Sequence, residues 1–392
     1  MRLMRKLWQR GRDLLPTAGF HFDRPLILLQ SDDWGRVGLC DQEGLQQLRL
    51  AGLVLGENPY DLYTLETAED VGALRALLKR HHDSNGRSPI MGMNFIVANL
   101  DFAKVRADDF RQIHLLPLAE GPPQPWNRPG LLESYRQGIA DGVFAPALHG
   151  RTHFCSSAMQ RELARGGERA DLIRTLWQVG TPYIHWRMPW IGYEYWDPSL
   201  PAHDRFLSPG DQAASIGYAV GEFAKLFATL PHSACAPGYR ADENTHRAWA
   251  QHGIRVAQNG PGVPLPPHFD RHQILNVSRA VEFEPGTDKE FSVEKCLRQA
   301  ETCFDLRVPA IVSVHSINFH STLLDFRNRT LSVLDEFLSA LESRHPDLLY
   351  LHDEDLYQLA SQGYCHSQQG TLAVNVTTAN FTRAQFAKKW NA

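Results

Sequence analysis

Short apolar runs alternate along the chain with longer stretches whose apolar residues recur at helical spacing. Residues 25–30 (PLILLQ), 90–98 (IMGMNFIVA) and 143–148 (VFAPAL) read as buried strands, each passing into polar residues at its C-terminal end. Residues 254–257, 274–277, 310–314 (AIVSV) and 348–351 read as four more. Helical spacing marks residues 67–81, 160–179, 293–304 and 328–344. Strands that alternate with helices in this way predict an α/β fold with a parallel sheet, because each crossover between parallel strands needs a helix-length connection. Residues 181–196 (TPYIHWRMPWIGYEYW) are dense in Trp and Tyr and broken by Pro and Gly, which predicts an ordered loop. After Gly363 the sequence turns polar and irregular. The predicted division is an N-terminal extension over 1–24, a single α/β body over 25–362 and a tail over 363–392, with no internal repeat.

Composition narrows the class of partner. Across 392 residues, 40 Lys and Arg are scattered among 44 Asp and Glu, so the basic face of a nucleic-acid binder is missing. No run reaches the roughly 20 apolar residues of a membrane-spanning helix. The opening MRLMRKLWQRGRDLL is basic and amphipathic but lacks the uninterrupted apolar run and small-residue cleavage site of a secretory signal. It suits a helix packed on its own domain, or, as an alternative, one lying on an anionic membrane surface. The expectation is a cytoplasmic protein without a transmembrane segment. Cys40, Cys155, Cys235, Cys296, Cys303 and Cys365 show no paired spacing, which predicts buried free thiols.

Three strand ends carry chemistry. The first is Ser31-Asp32-Asp33-Trp34-Gly35, directly after PLILLQ. Alone, two adjacent carboxylates fit a turn or a helix cap equally well. The second is His149-Gly150-Arg151-Thr152-His153, after VFAPAL, where one helical turn would make the two imidazoles neighbours. If both strands belong to one sheet, Asp33 completes a site of two His and one carboxylate with positions open for water and substrate, a donor set that suits zinc and related divalent metals. Asp32 is then free to act as a base. The third end, Ser313 to His320 after AIVSV, delivers His315 as a general-acid candidate, while His320 reads as structural.

In that order, SDDWG, HGRTH and SVHSINF resemble the motifs of the polysaccharide deacetylase superfamily, over residues 25–361. The resemblance implies an irregular (β/α) barrel, commonly seven-stranded. It also implies Asp32 as base, Asp33, His149 and His153 as metal ligands, and His315 as acid. The metal implied is Zn2+, with Co2+, Ni2+ or Mn2+ as alternatives. The expected activity is hydrolysis of an acetyl or other acyl group from an N- or O-acetylated sugar or polysaccharide. The family's oxyanion segment is replaced here by Ala236-Pro237-Gly238-Tyr239, with Tyr239 as candidate donor, and its motif before the last His by residues 279–284, with Arg279 and Glu282 as candidates. Arg151 and Trp34 complete the substrate or oxyanion candidates, and Trp186, Trp190 and Trp196 are candidates for a sugar platform. Competing readings are a metal-dependent hydrolase of a non-sugar amide or a glycosidic bond, and a non-catalytic carbohydrate-binding relative.

Overall fold

The structure is a computed structural model that describes residues 16–367 and 370–390. The basic segment at the start of the chain therefore lies outside the described residues. A mostly parallel sheet forms the centre. Its strands are β1 (Leu26–Trp34), β2 (Met91–Phe95), β3 (Phe144–Leu148), β4 (Ser233–Cys235), β5 (Val256–Asn259), β6 (Leu275–Ser278), β7 (Val281–Glu282), β8 (Ala310–His315) and β9 (Leu349–Tyr350). Hydrogen bonding orders them β7-β8-β1-β2-β3-β4-β5-β6, with β9 also beside β1 and the short strand His268–Phe269 antiparallel to β6. The two ends of this path are consecutive in the chain. Between β6, which pairs with β5, and β7, which pairs with β8, stand only Arg279 and Ala280.

Side-chain alternation along β1 sorts its residues into two environments. Ile27 and Leu29 join the larger apolar core, with Leu74 and Leu77 of α1 (Ala68–Leu78) and Leu334 and Phe337 of α6 (Arg327–Arg344). Leu26 and Leu28 join a second core with Val256, Val277 and Ile311. Gln30 and Asp32 continue that second face, so it changes from apolar to polar on approach to the strand's C-terminal end. Burial on both faces explains why β1 reads as an unbroken apolar run.

Helix ends follow local chemistry. Thr67 caps α1 reciprocally with Asp70. The predicted helix over 160–179 is two helices, α2 (Ser156–Arg165) and α3 (Glu168–Gln178), because Gly166 and Gly167 both adopt positive φ and end the first before the second starts. Not among the predicted helices is α4 (Pro209–Phe227), whose apolar stripe is diluted by Gly210, Gly217 and Gly221. The helix predicted over 293–304 is α5 (Val293–Asp305). Residues beyond Gly363, predicted as a polar tail, form strands Tyr364–Ser367, Gly370–Ala373 and Val376–Phe381 and a helix, Arg383–Trp390. Val376–Phe381 pairs antiparallel with Thr17–Phe22, which ties the two ends of the described chain together. These strands are mostly exposed, so they lack the apolar alternation that marks a strand in sequence. Among the described residues no helix is long and apolar enough to cross a membrane, and all six cysteines are free and buried.

Candidate active site

Asp32 and Asp33 end the polar face of β1. In a regular strand, adjacent side chains point to opposite faces. Here the pairing of β1 with β2 slips between Ser31 and Trp34, and Asp33 takes a left-handed backbone at φ 75°. This conformation costs a non-glycine residue about 1–3 kcal/mol, and such strain collects at functional sites. The Tyr63 hydroxyl donates to the Asp33 carbonyl at 2.6 Å and Arg36 Nη1 donates to Oδ2 at 2.8 Å. Asp33 Oδ1 is buried with no hydrogen-bond partner, 3.5 Å from His149 Nε2 and 3.3 Å from His153 Nε2.

The two imidazoles are brought together by a loop rather than by a helical turn. His149 N–H donates to the Phe95 carbonyl at the end of β2, and the chain then turns at Gly150, φ 104°, before α2 begins at Ser156. A Cβ on Gly150 would lie 2.0 Å from Glu194 Oε2. That close approach lets the buried Glu194 accept the Arg151 N–H at 2.8 Å and the Ser215 hydroxyl at 2.5 Å. Burial pushes Glu194 up to about 7. His149 Nδ1 lies 2.9 Å from the Cys235 carbonyl, which can only accept, so Nδ1 carries a proton and Nε2 is the ligating atom. Burial lowers His149, but Asp32 and Asp33 outweigh it and hold the imidazole well above its ordinary value. Burial holds His153 well below its own.

The ligand atoms of Asp33, His149 and His153 lie within 4.8 Å of one another. One carboxylate oxygen without a partner and two inward Nε2 atoms are what a divalent cation requires. The residues fit a metal.

Asp32 sits beside this cluster in a different environment. Burial raises its carboxyl, but the Arg279 guanidinium more than reverses this and holds it far below the usual carboxylate range. Arg279 grips it with two prongs, at 2.6 and 2.8 Å, from the junction between β6 and β7. Asn94 and the Tyr239 hydroxyl also donate, at 2.7 and 3.0 Å. Beneath, Arg279 donates to Gln30 and Gln258, whose amides both donate to Asp353. Each donor in this buried chain has an acceptor, which fixes the carboxylate's position.

His315 is the direct cross-strand neighbour of Asp32 in the β8 and β1 pair, with its Nε2 4.0 Å from Asp32 Oδ2. Glu284 Oε1 is 2.6 Å from His315 Nδ1, and Asn318 Nδ2 donates to Glu284 Oε2 at 2.6 Å. Burial lowers His315, but Glu284 outweighs it and the imidazole is raised to about 9.

A cavity of about 300 Å³ opens over these groups, lined also by Arg36, Tyr60, Tyr63, Tyr183, His185, Trp186 and Tyr193. Of the predicted residues it brings together Asp32, Asp33, His149, His153, His315 and Tyr239, with Arg279 directly behind Asp32. Others lie elsewhere. Glu282 is exposed at the end of β7, where its N–H donates to Gln299 of α5, and it is Glu284, beyond the strand, that reaches His315. Arg151 stacks over Tyr218 at 3.9 Å, away from the cavity. Trp34 is fully buried against Phe319. The Tyr239 N–H is committed to the Ala236 carbonyl in a tight turn, and it is the hydroxyl of this residue that reaches Asp32. Trp186 reaches the mouth of the cavity, whereas Trp190 lies under Arg169 and Trp196 beside Arg205 and Arg240. His320 is buried beside Glu66 and Tyr63.

Sequence reasoning missed Asn94, Gln30 and Gln258, although Asn94 and Gln30 are each the one amide of a strand that is otherwise apolar up to that point, a contrast that is a usable signal. Arg36, Tyr183, His185 and Glu284 gave no comparable signal.

The fold and cluster define an α/β protein of parallel strands with a two-histidine, one-carboxylate centre at the strands' C-terminal ends. Among the solved structures that the chain resembles are polysaccharide deacetylases, an allantoinase and a 4-alpha-glucanotransferase. A protein from Mycobacterium smegmatis assigned as a polysaccharide deacetylase is 12% identical with a TM-score of 0.44, covering 86% of this chain and 90% of that one. A Pseudomonas aeruginosa PAO1 protein of the same assignment is 12% identical with a TM-score of 0.45, covering 87% and 93%. A Puue allantoinase is 11% identical with a TM-score of 0.44, covering 87% and 92%. At these scores the likeness decides neither activity nor substrate. No protein-family model and no curated protein matches the sequence.

Proposed function

We propose that this protein is a metal-dependent hydrolase that removes an acetyl or other acyl group from an N- or O-acylated sugar. The observation that carries the reading is the partnerless Asp33 Oδ1 between two inward imidazoles, flanked by Asp32 in the grip of Arg279 and by His315 against Glu284. Asp33, His149 and His153 would hold the cation, with zinc the first choice for this donor set. When bound, such an ion supplies Lewis-acid polarisation of an acyl carbonyl and acidifies water. Asp32 takes a proton from the attacking water. His315 Nε2 gives its proton to the departing amine or alcohol, held in orientation by Glu284. The acyl group leaves as a carboxylic acid, and the amine or hydroxyl remains on the sugar. Trp186, 43% exposed at the mouth, offers an aromatic face to a sugar ring. The body over 25–362 acts as one unit in this reading. The chain continuity of β6 and β7 supports a sheet closed into a seven-stranded barrel, with the site at its C-terminal mouth.

A second reading has its own observation. Asp32 already accepts four hydrogen bonds from Arg279, Asn94 and Tyr239, as many as a carboxylate ordinarily takes, so water must displace one donor before Asp32 acts as a base. A relative that binds acylated sugars without turnover would keep this arrangement.

Metal analysis combined with acetate release from a panel of N- and O-acetylated sugars separates the two. Hydrolysis predicts acetate release by the zinc-loaded wild type, loss of turnover with metal retained in Asp32→Asn, and loss of metal in His149→Ala. Acetate release unchanged in a folded Asp32→Asn, or full metal occupancy in His149→Ala/His153→Ala, rejects these roles. A zinc-loaded wild type that binds acetylated sugars but releases no acetate favours the binding reading.

A further inference from the structure

The carboxylates at the cavity are each matched by a cation of the protein itself. Asp32 pairs with Arg279, Asp33 with Arg36, Asp61 with Arg187, and Glu284 with His315. With a divalent cation held by Asp33, His149 and His153 in place of the His149 proton, the cavity would carry two positive charges that no carboxylate lining it is left to offset. In a partly enclosed pocket that excess favours a negatively charged occupant, because water screens it less there than at a surface.

The donors for such an occupant are already gathered. Arg36 is only 6% exposed, yet it gives Asp33 a single Nη1 contact and its Nε has no partner. Its Cζ lies 3.8 Å over the Tyr63 ring and 5.4 Å from the Tyr183 ring centre. Tyr183 is 5% exposed, and its hydroxyl is likewise buried without a partner. His185, T-stacked against Tyr183 and His153 at 5.9 and 5.2 Å, leaves Nδ1 unpartnered. Buried polar groups are rarely left unsatisfied without cause. These three atoms share one cavity, and two of them, the Arg36 Nε–H and the Tyr183 hydroxyl, are donors that suit an acceptor-only group.

We propose that the cavity selects an acylated substrate that also carries a carboxylate, seated on Arg36 and Tyr183 beside the cation position, with His185 as a further contact. What this says of the acyl group rests on the hydrolase reading above, whereas the carboxylate preference does not. A guanidinium that merely balances Asp33 would give no such preference.

The test is calorimetric binding to the full chain, metal-free and zinc-loaded, of ligand pairs in which one member carries a carboxylate that the other lacks. N-acetylmuramic acid is compared with N-acetylglucosamine, and N-acetylalanine with its amide. Wild type is expected to favour the carboxylate in at least one pair by about tenfold or more, the scale of one charge-assisted hydrogen bond. Arg36→Gln should bring the ratio to within about twofold, and Tyr183→Phe should reduce it about threefold to tenfold. Equal affinity within both pairs, no binding of any ligand, or a preference that survives in folded Arg36→Gln overturns the proposal. Should Arg36→Gln not fold, Tyr183→Phe decides, and a ratio it leaves unmoved overturns the proposal. A preference confined to the N-acetylalanine pair, with no acetate released from any sugar, supports the carboxylate site while rejecting the sugar substrate.

Discussion

Replacing Arg279 with methionine removes the cation from an ion pair that solvent hardly reaches. The two side chains are 0% and 2% exposed, and both guanidinium prongs end on Asp32. Removing one partner of such a pair costs about 3–5 kcal/mol, because the other charge is left buried and uncompensated. Unfolding entropy is about 2.1 cal/mol/K per residue, so a chain of this length carries roughly 0.8 kcal/mol/K and Tm falls by about 4–6 °C. The pH dependence fixes the cause. In the wild type the depressed Asp32 carboxyl contributes stability that is present above its unfolded value of 3.8 and lost as pH falls through the folded one. In Arg279→Met burial acts on Asp32 unopposed by that guanidinium, raising its pKa, so acidification neutralises the stranded charge and narrows the deficit. Differential scanning calorimetry at pH 8 and pH 5 measures this, together with a double-mutant cycle through Asp32→Asn. The expected coupling is at least about 2 kcal/mol. Additive losses to within about 0.5 kcal/mol, or a deficit equal at both pH values, would refute the account of Asp32 as a carboxylate held by Arg279.

Three further outcomes follow from the same geometry. Gly150→Ala combines strain at φ 104° with a Cβ driven against Glu194, so it should cost about 2–4 kcal/mol and weaken zinc binding at least about tenfold by displacing the histidine loop; Gly142→Ala, at φ 72° with nothing within 4 Å, should lose only about 1 kcal/mol and keep its zinc affinity. Unchanged zinc affinity in Gly150→Ala by competition titration would contradict the role given to that turn. Because Asp32 and Asp33 hold His149 protonated, zinc loading at pH 7 should release about one proton and tighten about tenfold per pH unit, read by calorimetry in buffers of different ionisation enthalpy. Turnover should fall as pH rises through about 9, where His315 loses its proton, and Glu284→Gln should move that limb to lower pH; an alkaline limb left in place by Glu284→Gln would show that His315 is not the acid.

Strands and their loaded ends were legible because both depend on short-range pattern. PLILLQ and AIVSV mark β1 and β8 by their largely apolar composition, and Asp32 and His315, at the C-terminal ends of those strands, become cross-strand neighbours once the strands pair in register. The sequence also contained the spacing of His149 and His153, but not the means of joining them, which is a glycine turn seated on Glu194. Which of two adjacent aspartates faces the imidazoles was decided by a slip in register and a left-handed residue, a conformation that propensity does not predict for aspartate after a strand. Arg36, Asn94, Tyr183, His185, Glu284 and Arg279 were brought to the site from positions up to 247 residues apart in sequence from their partners. The choice of Glu284 over Glu282, and of Trp186 over Trp190 and Trp196, was likewise tertiary. Local pattern determines where a strand ends; only the packing of several such ends decides which charges face one another and which polar atoms are left without a partner.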